Sequence, residues 1–296
     1  MTESPESLKI CVLASGSRGN CTLVASPSTR VLVDAGLSGR RTVECLAGLG
    51  IAVGEIDAIL VGHEHSDHVR GLAALAGRHR LPVYLNRETA EAAGAHIPAR
   101  AEVKIFTNGQ AWEIGDLQVL PFSVFHDARD PVGFVIGWRG QEVTLATDLG
   151  TPTRLVRQRL RGCRVAVLEA NHDPDLLLNG TRPWRLKQRV NSSRGHLSNR
   201  AAADLLAADT GTNLTDVFLA HISLDCNRPE RARREVMEAL KRAGKEHVRV
   251  RLTYQDRVSE VVEIIDSPPP TPAEETLPPR PVQLELGPFL TKDPAI

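Results

Sequence analysis

Cysteine is scarce and scattered in this chain. Cys11, Cys21, Cys45, Cys163 and Cys226 are odd in number, and no CxxC pair occurs. That excludes a disulfide framework and predicts reduced thiols in a cytoplasmic protein. Long apolar runs are missing: no segment holds the roughly 18 consecutive apolar residues that a membrane span needs. The first residues, "MTESPESLKICVL", lack a basic n-region and a long h-region, so no signal peptide is expected. Charge of one sign is missing as well. Lys and Arg number 36 and Asp and Glu 36, so bulk electrostatics names no partner. Apolar material is not lacking. At 42% of 296 residues it suffices for one large domain or two ordinary ones.

The pattern along the chain is mixed. Residues 8–14, "LKICVLA", read as a buried strand. The Gly/Ser loop "SGSRGN" follows, then apolar runs at 21–25 and 30–34, the second ending in the turn signal "DAG". Residues 38–49 have helical spacing, with Ser38 as a candidate cap. Residues 57–61 read as a strand, "VRGLAALAGR" as a helix, "LPVYL" as a strand and 87–94 as a short helix. Short β runs at 103–106, 112–114, 117–124, 132–138 and 142–147 are separated by Asn-Gly, Gly-Asp or Arg-Gly turns. Helices at 152–160, 199–208 and 229–243 then alternate with strands at 165–168, 215–219, 248–254 and 258–265. Two β-rich halves, each with its own helices, predict two sheets packed face to face with helices outside. This domain is expected to span residues 8–266. Residues 267–296 contain nine prolines and are expected to be a disordered tail. Its "VQLELGPFL", residues 282–290, is a candidate docking element for a repair-protein partner; a linker remnant is the alternative.

Against these absences stands "VGHEHSDHVRG", residues 61–71, with three histidines and two carboxylates in six positions. His63 and His65 are two apart and can point to one side of an extended segment. Asp67 and His68 follow where the chain turns toward a helix, and can face a second ion. Imidazole and carboxylate suit zinc, manganese or iron. A solvated polar loop is the alternative, but H-x-H-x-D-H after an apolar strand and before a helix favours metal. Four side chains cannot complete two coordination shells. Three further candidates lie at expected strand ends: His126 in "SVFHDARDPVGF", Asp148 in "TLATDLG" and His221 in "VFLAHIS". Each alone reads as a cap or a core residue. Together they supply the missing donors, and Asp148 can bridge two cations.

At this point the sequence resembles the metallo-β-lactamase superfamily over about residues 8–265. Within it the chain is similar to the YycJ/WalJ branch of DNA exonuclease-like proteins. The similarity is carried by "LASGSRGNCTLV", "LVDAGLSGR", "GHEHSDHVRGL", "FHDARDPVGF", "ATDLG", "LEANHD", "RGHLSN" and "LAHISLDCN". The resemblance implies an α+β fold, a four-layer αββα sandwich with a dinuclear site along one edge of the sheets. It implies two divalent ions, Zn²⁺ or Mn²⁺. His63, His65 and His126 would hold one; Asp67, His68 and His221 the other; Asp148 would bridge. Asp148 stands where zinc β-lactamases of the commonest type place a cysteine, which counts against antibiotic hydrolysis. Similarity to the ribonuclease Z branch implies that His196 is the general acid, supported by Glu169. A helix N-cap neighbour is the alternative for His196, since Ser198 can cap the helix that follows. Asp67 would position the nucleophile. Asn171 and His172 are expected to orient ligands or touch substrate. The backbone N–H groups of "SGSRGN" can cradle a phosphate, with Ser15 and Asn20 as substrate contacts or as residues that hold the loop near the site.

Local charge points to the substrate, with a solvated helix face as the alternative for residues 154–164. Between residues 149 and 203, ten Arg and one Lys face three acids, Glu169, Asp173 and Asp175. Residues 176–203 carry six bases and no acid, with Trp184 among Arg182, Arg185 and Lys187. An indole can stack on a base while guanidinium groups contact phosphates. The expectation is a dinuclear metal-dependent phosphodiesterase acting on nucleic acid. By resemblance it is a 5′→3′ DNA exonuclease linked to repair. A small-molecule hydrolase acting on a thioester, lactone or cyclic phosphodiester is the enzyme alternative. A non-catalytic, metal-stabilised nucleic-acid-binding protein is the other.

Overall fold

The alternation of apolar residues decides which way each strand faces. In a computed structural model, which describes residues 6–266, the first strand, β1 (Ser7–Ala14), shows this directly. Leu8, Ile10 and Val12 face one core, and Cys11 and Leu13 face another. The period of two in side-chain direction makes this possible. β2 (Cys21–Ala25) and β3 (Arg30–Val33) continue as an antiparallel meander, and β4 (Ala58–Leu60), β5 (Val83–Asn86) and β6 (Val103–Phe106) follow in parallel. Helices α1 (Gly39–Gly48), α2 (Ser66–Val69), α3 (Leu72–Arg78) and α4 (Arg87–Ala93) are interleaved among them. Ser38 caps α1 as expected, accepting from the Arg41 N–H.

The second sheet repeats the plan. β7 (Trp112–Ile114), β8 (Leu117–Ser123), β9 (Val132–Trp138) and β10 (Gln141–Ala146) are antiparallel; β11 (Val165–Glu169), β12 (Asp216–Ala220) and β13 (Arg249–Leu252) extend it in parallel. The intervening helices are α5 (Arg154–Arg161), α6 (Pro174–Asn179), α7 (Trp184–Val190), α8 (Asn199–Asp209) and α9 (Pro229–Arg242). The last strand, β14 (Val262–Ile265), returns to flank β1 in the first sheet. Each sheet has seven strands. One apolar core lies between the sheets, where Leu8, Ile10 and Val31 meet Phe134, Val167 and Phe218. Two more lie between each sheet and its own helices. This is the expected four-layer αββα sandwich.

Helices α6 and α7 are additions to the sequence reading. Asp173 caps α6 by accepting from the Leu176 N–H, and Pro174 occupies its first turn. Those start signals were present in "HDPD". Only Leu177, Leu186 and Val190 from this stretch reach a small apolar cluster with Cys226, too few for a readable helical period. The expected tail at 267–296 and its docking element lie outside the described residues.

Candidate metal centre

The parallel strands of both sheets deliver their C-terminal ends to one edge, and the candidate ligands sit there. β3 ends at Asp34, β4 runs into His63 and His65, β10 leads to Asp148, β11 ends at Glu169, and β12 leads to His221. Asp34, Asp148 and His221 have φ of 64°, 54° and 53°. That left-handed backbone is uncommon outside glycine and redirects each side chain from the strand line. The two sheets also touch here, where the Val132 N–H donates to the Gly62 carbonyl at 3.0 Å.

All seven expected donors converge. His63, His65 and His126 form one group whose donor atoms lie within 4.8 Å of one another; Asp67, His68 and His221 form another. Asp148 groups with His63 and His68, and again with Glu169, His196 and His221. The hydrogen bonds fix the tautomers. His68 Nδ1 donates to Asp34 Oδ2 at 2.8 Å, His126 Nδ1 to the Gly195 carbonyl at 3.0 Å, and His221 Nδ1 to Glu169 Oε1 at 2.9 Å. Each bond commits Nδ1 of its ring and turns Nε2 toward the cluster, where loss of its proton frees a lone pair for a cation. Orienting partners of this kind are the usual support of metal-ligating histidine.

The donor set fits divalent cations. Asp148 Oδ2 is buried 3.1 Å from His68 Nε2. A buried carboxylate and a buried imidazole nitrogen at that distance are held together by positive charge, a proton on His68 or a divalent ion in its place. Burial, then the neighbouring His68, push the His63 imidazole well below its usual proton affinity, which keeps it in the neutral, ligating form. Burial alone would raise the Asp148 carboxyl, but His221 and His68 outweigh it and hold the group well below the usual range.

Beside the seven donors sits an acid–imidazole pair. His196 Nδ1 donates to Glu169 Oε1 at 2.8 Å, leaving Nε2 without a protein partner among the described residues. The His196 side chain is 21% exposed and Glu169 is fully buried. Burial disfavours charge on His196, but Glu169 outweighs it and raises the imidazole's proton affinity. Glu169 Oε2 accepts from the Leu149 and Leu197 N–H groups, both at 3.0 Å. Burial would raise this carboxyl; the His196 charge and the hydrogen bonds from both imidazoles bring it down to about 2. With every lone pair engaged, Glu169 positions His196 and His221 and does not reach substrate itself.

Several expected substrate contacts are corrected by burial. Ser15 and Asn20 lie beneath the centre: Ser15 Oγ accepts from the His221 N–H at 2.7 Å, and Asn20 Nδ2 lies 3.2 Å from Asp67 Oδ2 and 3.1 Å from His68 Nε2. The "SGSRGN" loop is no phosphate cradle, because the N–H groups of Ser15, Gly16, Arg18, Gly19 and Asn20 all donate within the protein. Asn171 donates to the His221 carbonyl at 2.8 Å. His172 is buried, its backbone bridged to Ser198, and cannot touch substrate. In the basic stretch Trp184 is 62% exposed and Arg185 is open, while Arg182 pairs with Asp225 and Lys187 donates to the Leu178 carbonyl. Arg189 pairs with Asp127, whose Oδ1 lies 3.2 Å from His126 Nε2. Sequence reasoning missed Asp34 and Asp127. Asp34 stood in "LVDAG" as a turn signal only.

Residues 29–222 match the model of a beta-lactamase superfamily domain. The chain belongs to the metallo-β-lactamase superfamily. It is a metal-dependent hydrolase of that fold. It is similar to exodeoxyribonuclease YycJ of Bacillus anthracis, with 39% identity over 80% of this chain and 90% of that one. It is also similar to exodeoxyribonuclease WalJ of Streptococcus pneumoniae, with 33% identity over 79% of this chain and 89% of the relative. Among solved structures, the metallo-β-lactamase-fold protein YhfI of Bacillus subtilis superposes with a TM-score of 0.69. It covers 88% of this chain and 100% of its own, at 17% identity, and so speaks for the fold alone.

Proposed function

We propose that this metallo-β-lactamase-fold protein is a dinuclear, metal-dependent 5′→3′ DNA exonuclease of the cytoplasm, linked to DNA repair. The observation that carries the reading is the junction between basic helix and metal centre. α7 leads directly into the 191–196 segment, which supplies the Gly195 carbonyl that holds His126 and the His196 imidazole itself. A polyanion engaged along α7 is therefore delivered to the centre. The two exodeoxyribonuclease relatives support the same substrate class.

His63, His65 and His126 would hold one cation, Asp67, His68 and His221 the other, and Asp148 both. Such cations, when bound, make water a stronger nucleophile and offset charge on phosphorus. The remaining steps belong to the chain. Asp67 positions the attacking water for in-line displacement. Trp184 stacks on a base, and Arg185 contacts the phosphate backbone. His196, aligned by Glu169, donates a proton from Nε2 to the departing oxygen.

The test is turnover on labelled DNA, labelled RNA and bis-p-nitrophenyl phosphate with added Mn²⁺ or Zn²⁺, alongside metal analysis after reloading. Stepwise loss of DNA from 5′ ends with about two metal equivalents is expected. Turnover of the small diester alone would make this a small-molecule hydrolase. Metal binding with no turnover would make it a binding protein.

A further inference from the structure

The "SGSRGN" loop faces the metal centre on one side and walls a second cavity on the other. The cavity, about 330 Å³, lies among Ser15, Arg18, residues 222–224 and 227–229, and residues 253–256. Ser15 belongs to both places, since it lines the cavity and its hydroxyl holds the His221 N–H. Larger grooves along α9 and β13 contain none of the candidate ligands.

The lining has the chemistry of a phosphate ester. Arg18 and Arg228 share the lining with one carboxylate, that of Asp256. Neither arginine forms an ion pair among the described residues; the Arg228 guanidinium donates only to the carbonyls of Asn227 and Leu224, at 2.6 and 3.4 Å. Arg182, Arg189, Arg231 and Arg251, in contrast, are all neutralised by carboxylates. The 14-residue helix α9 begins at Pro229 in the cavity wall, with no side chain capping it, and adds its positive end. Apolar surface comes from Leu224, 60% exposed, and from Tyr254, whose ring is held by Arg257 stacked 3.4 Å from its centroid. The volume is near the lower end of the roughly 300–1,000 Å³ typical of small-ligand sites. That is room for one nucleotide.

We propose that this cavity receives the phosphorylated terminal nucleotide of a nucleic-acid strand, with its phosphate on Arg18 and Arg228. The inference rests on the nuclease reading above and gives it a means of counting from an end. A terminal phosphate monoester carries more negative charge than an internal diester, and two guanidinium groups without ion-pair partners favour it.

The test is fluorescence anisotropy on the full chain in Ca²⁺, with four single strands. One carries a 5′-phosphate, one a 3′-phosphate, one hydroxyls at both ends, and one is circular. One phosphorylated end is expected to bind at least about tenfold more tightly than the hydroxyl-ended or circular strand, the scale of a lost charge-assisted contact. The R18Q/R228Q double variant, both positions being exposed, should keep its thermal midpoint and bring that ratio to about one. Equal affinity of the unaltered protein for phosphorylated and hydroxyl ends overturns the proposal. So does a preference that survives in the double variant, or no binding to any strand. Because affinity needs no turnover, failure to cleave DNA would count against the nuclease reading alone.

Discussion

His196 and Asp34 illustrate two ways in which one side chain serves the centre. His196 is aligned by Glu169 and keeps Nε2 free. His196→Ala should retain both metals and DNA affinity, and lose about 10²–10⁴-fold in the chemical step, the usual scale of acid–base catalysis. The loss should shrink on a p-nitrophenyl ester, whose leaving group hardly needs a proton. Single-turnover kinetics on the two leaving groups checks this; equal losses would make His196 a phosphate binder. Asp34 works at one remove, through His68 Nδ1 and the Gly62 N–H. Asp34→Ala should weaken one of two metal equivalents by about 10–100-fold, the usual effect of removing such an orienting partner. Competition with a chromophoric chelator reads it out, and two unchanged affinities would contradict it.

At the scale of elements, α7 is the proposed link between substrate and centre. It presents Trp184 and Arg185 outward and ends in a turn too tight for any side chain. A Cβ on Gly195 would lie 2.2 Å from the carbonyl oxygens of Arg189 and Val190. The turn thus holds His196 and the His126 acceptor in one place relative to the helix. Neutralising Arg185 should reduce the slope of log K against log salt by about one, because one fewer phosphate contact releases counterions. Trp184→Ala should weaken binding with the slope unchanged, since stacking moves no ions. Titrations at four salt concentrations separate the two. An unchanged slope for Arg185→Gln would place the nucleic acid elsewhere.

For the whole molecule, the end of the sandwich away from the metal centre carries its own clamp. Asp116, before β8, accepts from Ser26 Oγ of the first sheet at 2.5 Å and from Trp138 Nε1 of the second at 2.9 Å. Burial would raise its carboxyl, but hydrogen bonds from Ser26, Thr29, Ser28 and Trp138 bring it from 3.8 to about 2. A carboxyl depressed in the folded state adds stability above its unfolded value and loses that share as pH falls toward the folded one. Asp116→Asn should therefore be less stable than the unaltered protein near neutral pH. The gap should narrow as pH falls from 3.8 toward about 2. Denaturant unfolding across that window tests it; a constant gap would mean that the clamp is not ionic.

What the sequence determined by itself was local: strands and helices with enough apolar residues to show a period, the H-x-H-x-D-H segment, and single donors at strand ends. His126, Asp148 and His221 were legible because each follows an apolar run, and runs that end in a polar residue mark the edge of a sheet. The tertiary structure decided everything that joins distant segments. Asp34 meets His68 across 34 positions, Gly195 meets His126 across 69, Arg189 meets Asp127 across 62, and Ser15 meets His221 across 206. A backbone carbonyl such as that of Gly195 has no residue signature at all. Whether a polar side chain touches substrate or supports a ligand depends on burial. Ser15, Asn20 and His172 look the same in sequence whether they face solvent or core, and only packing of the two sheets placed them inside.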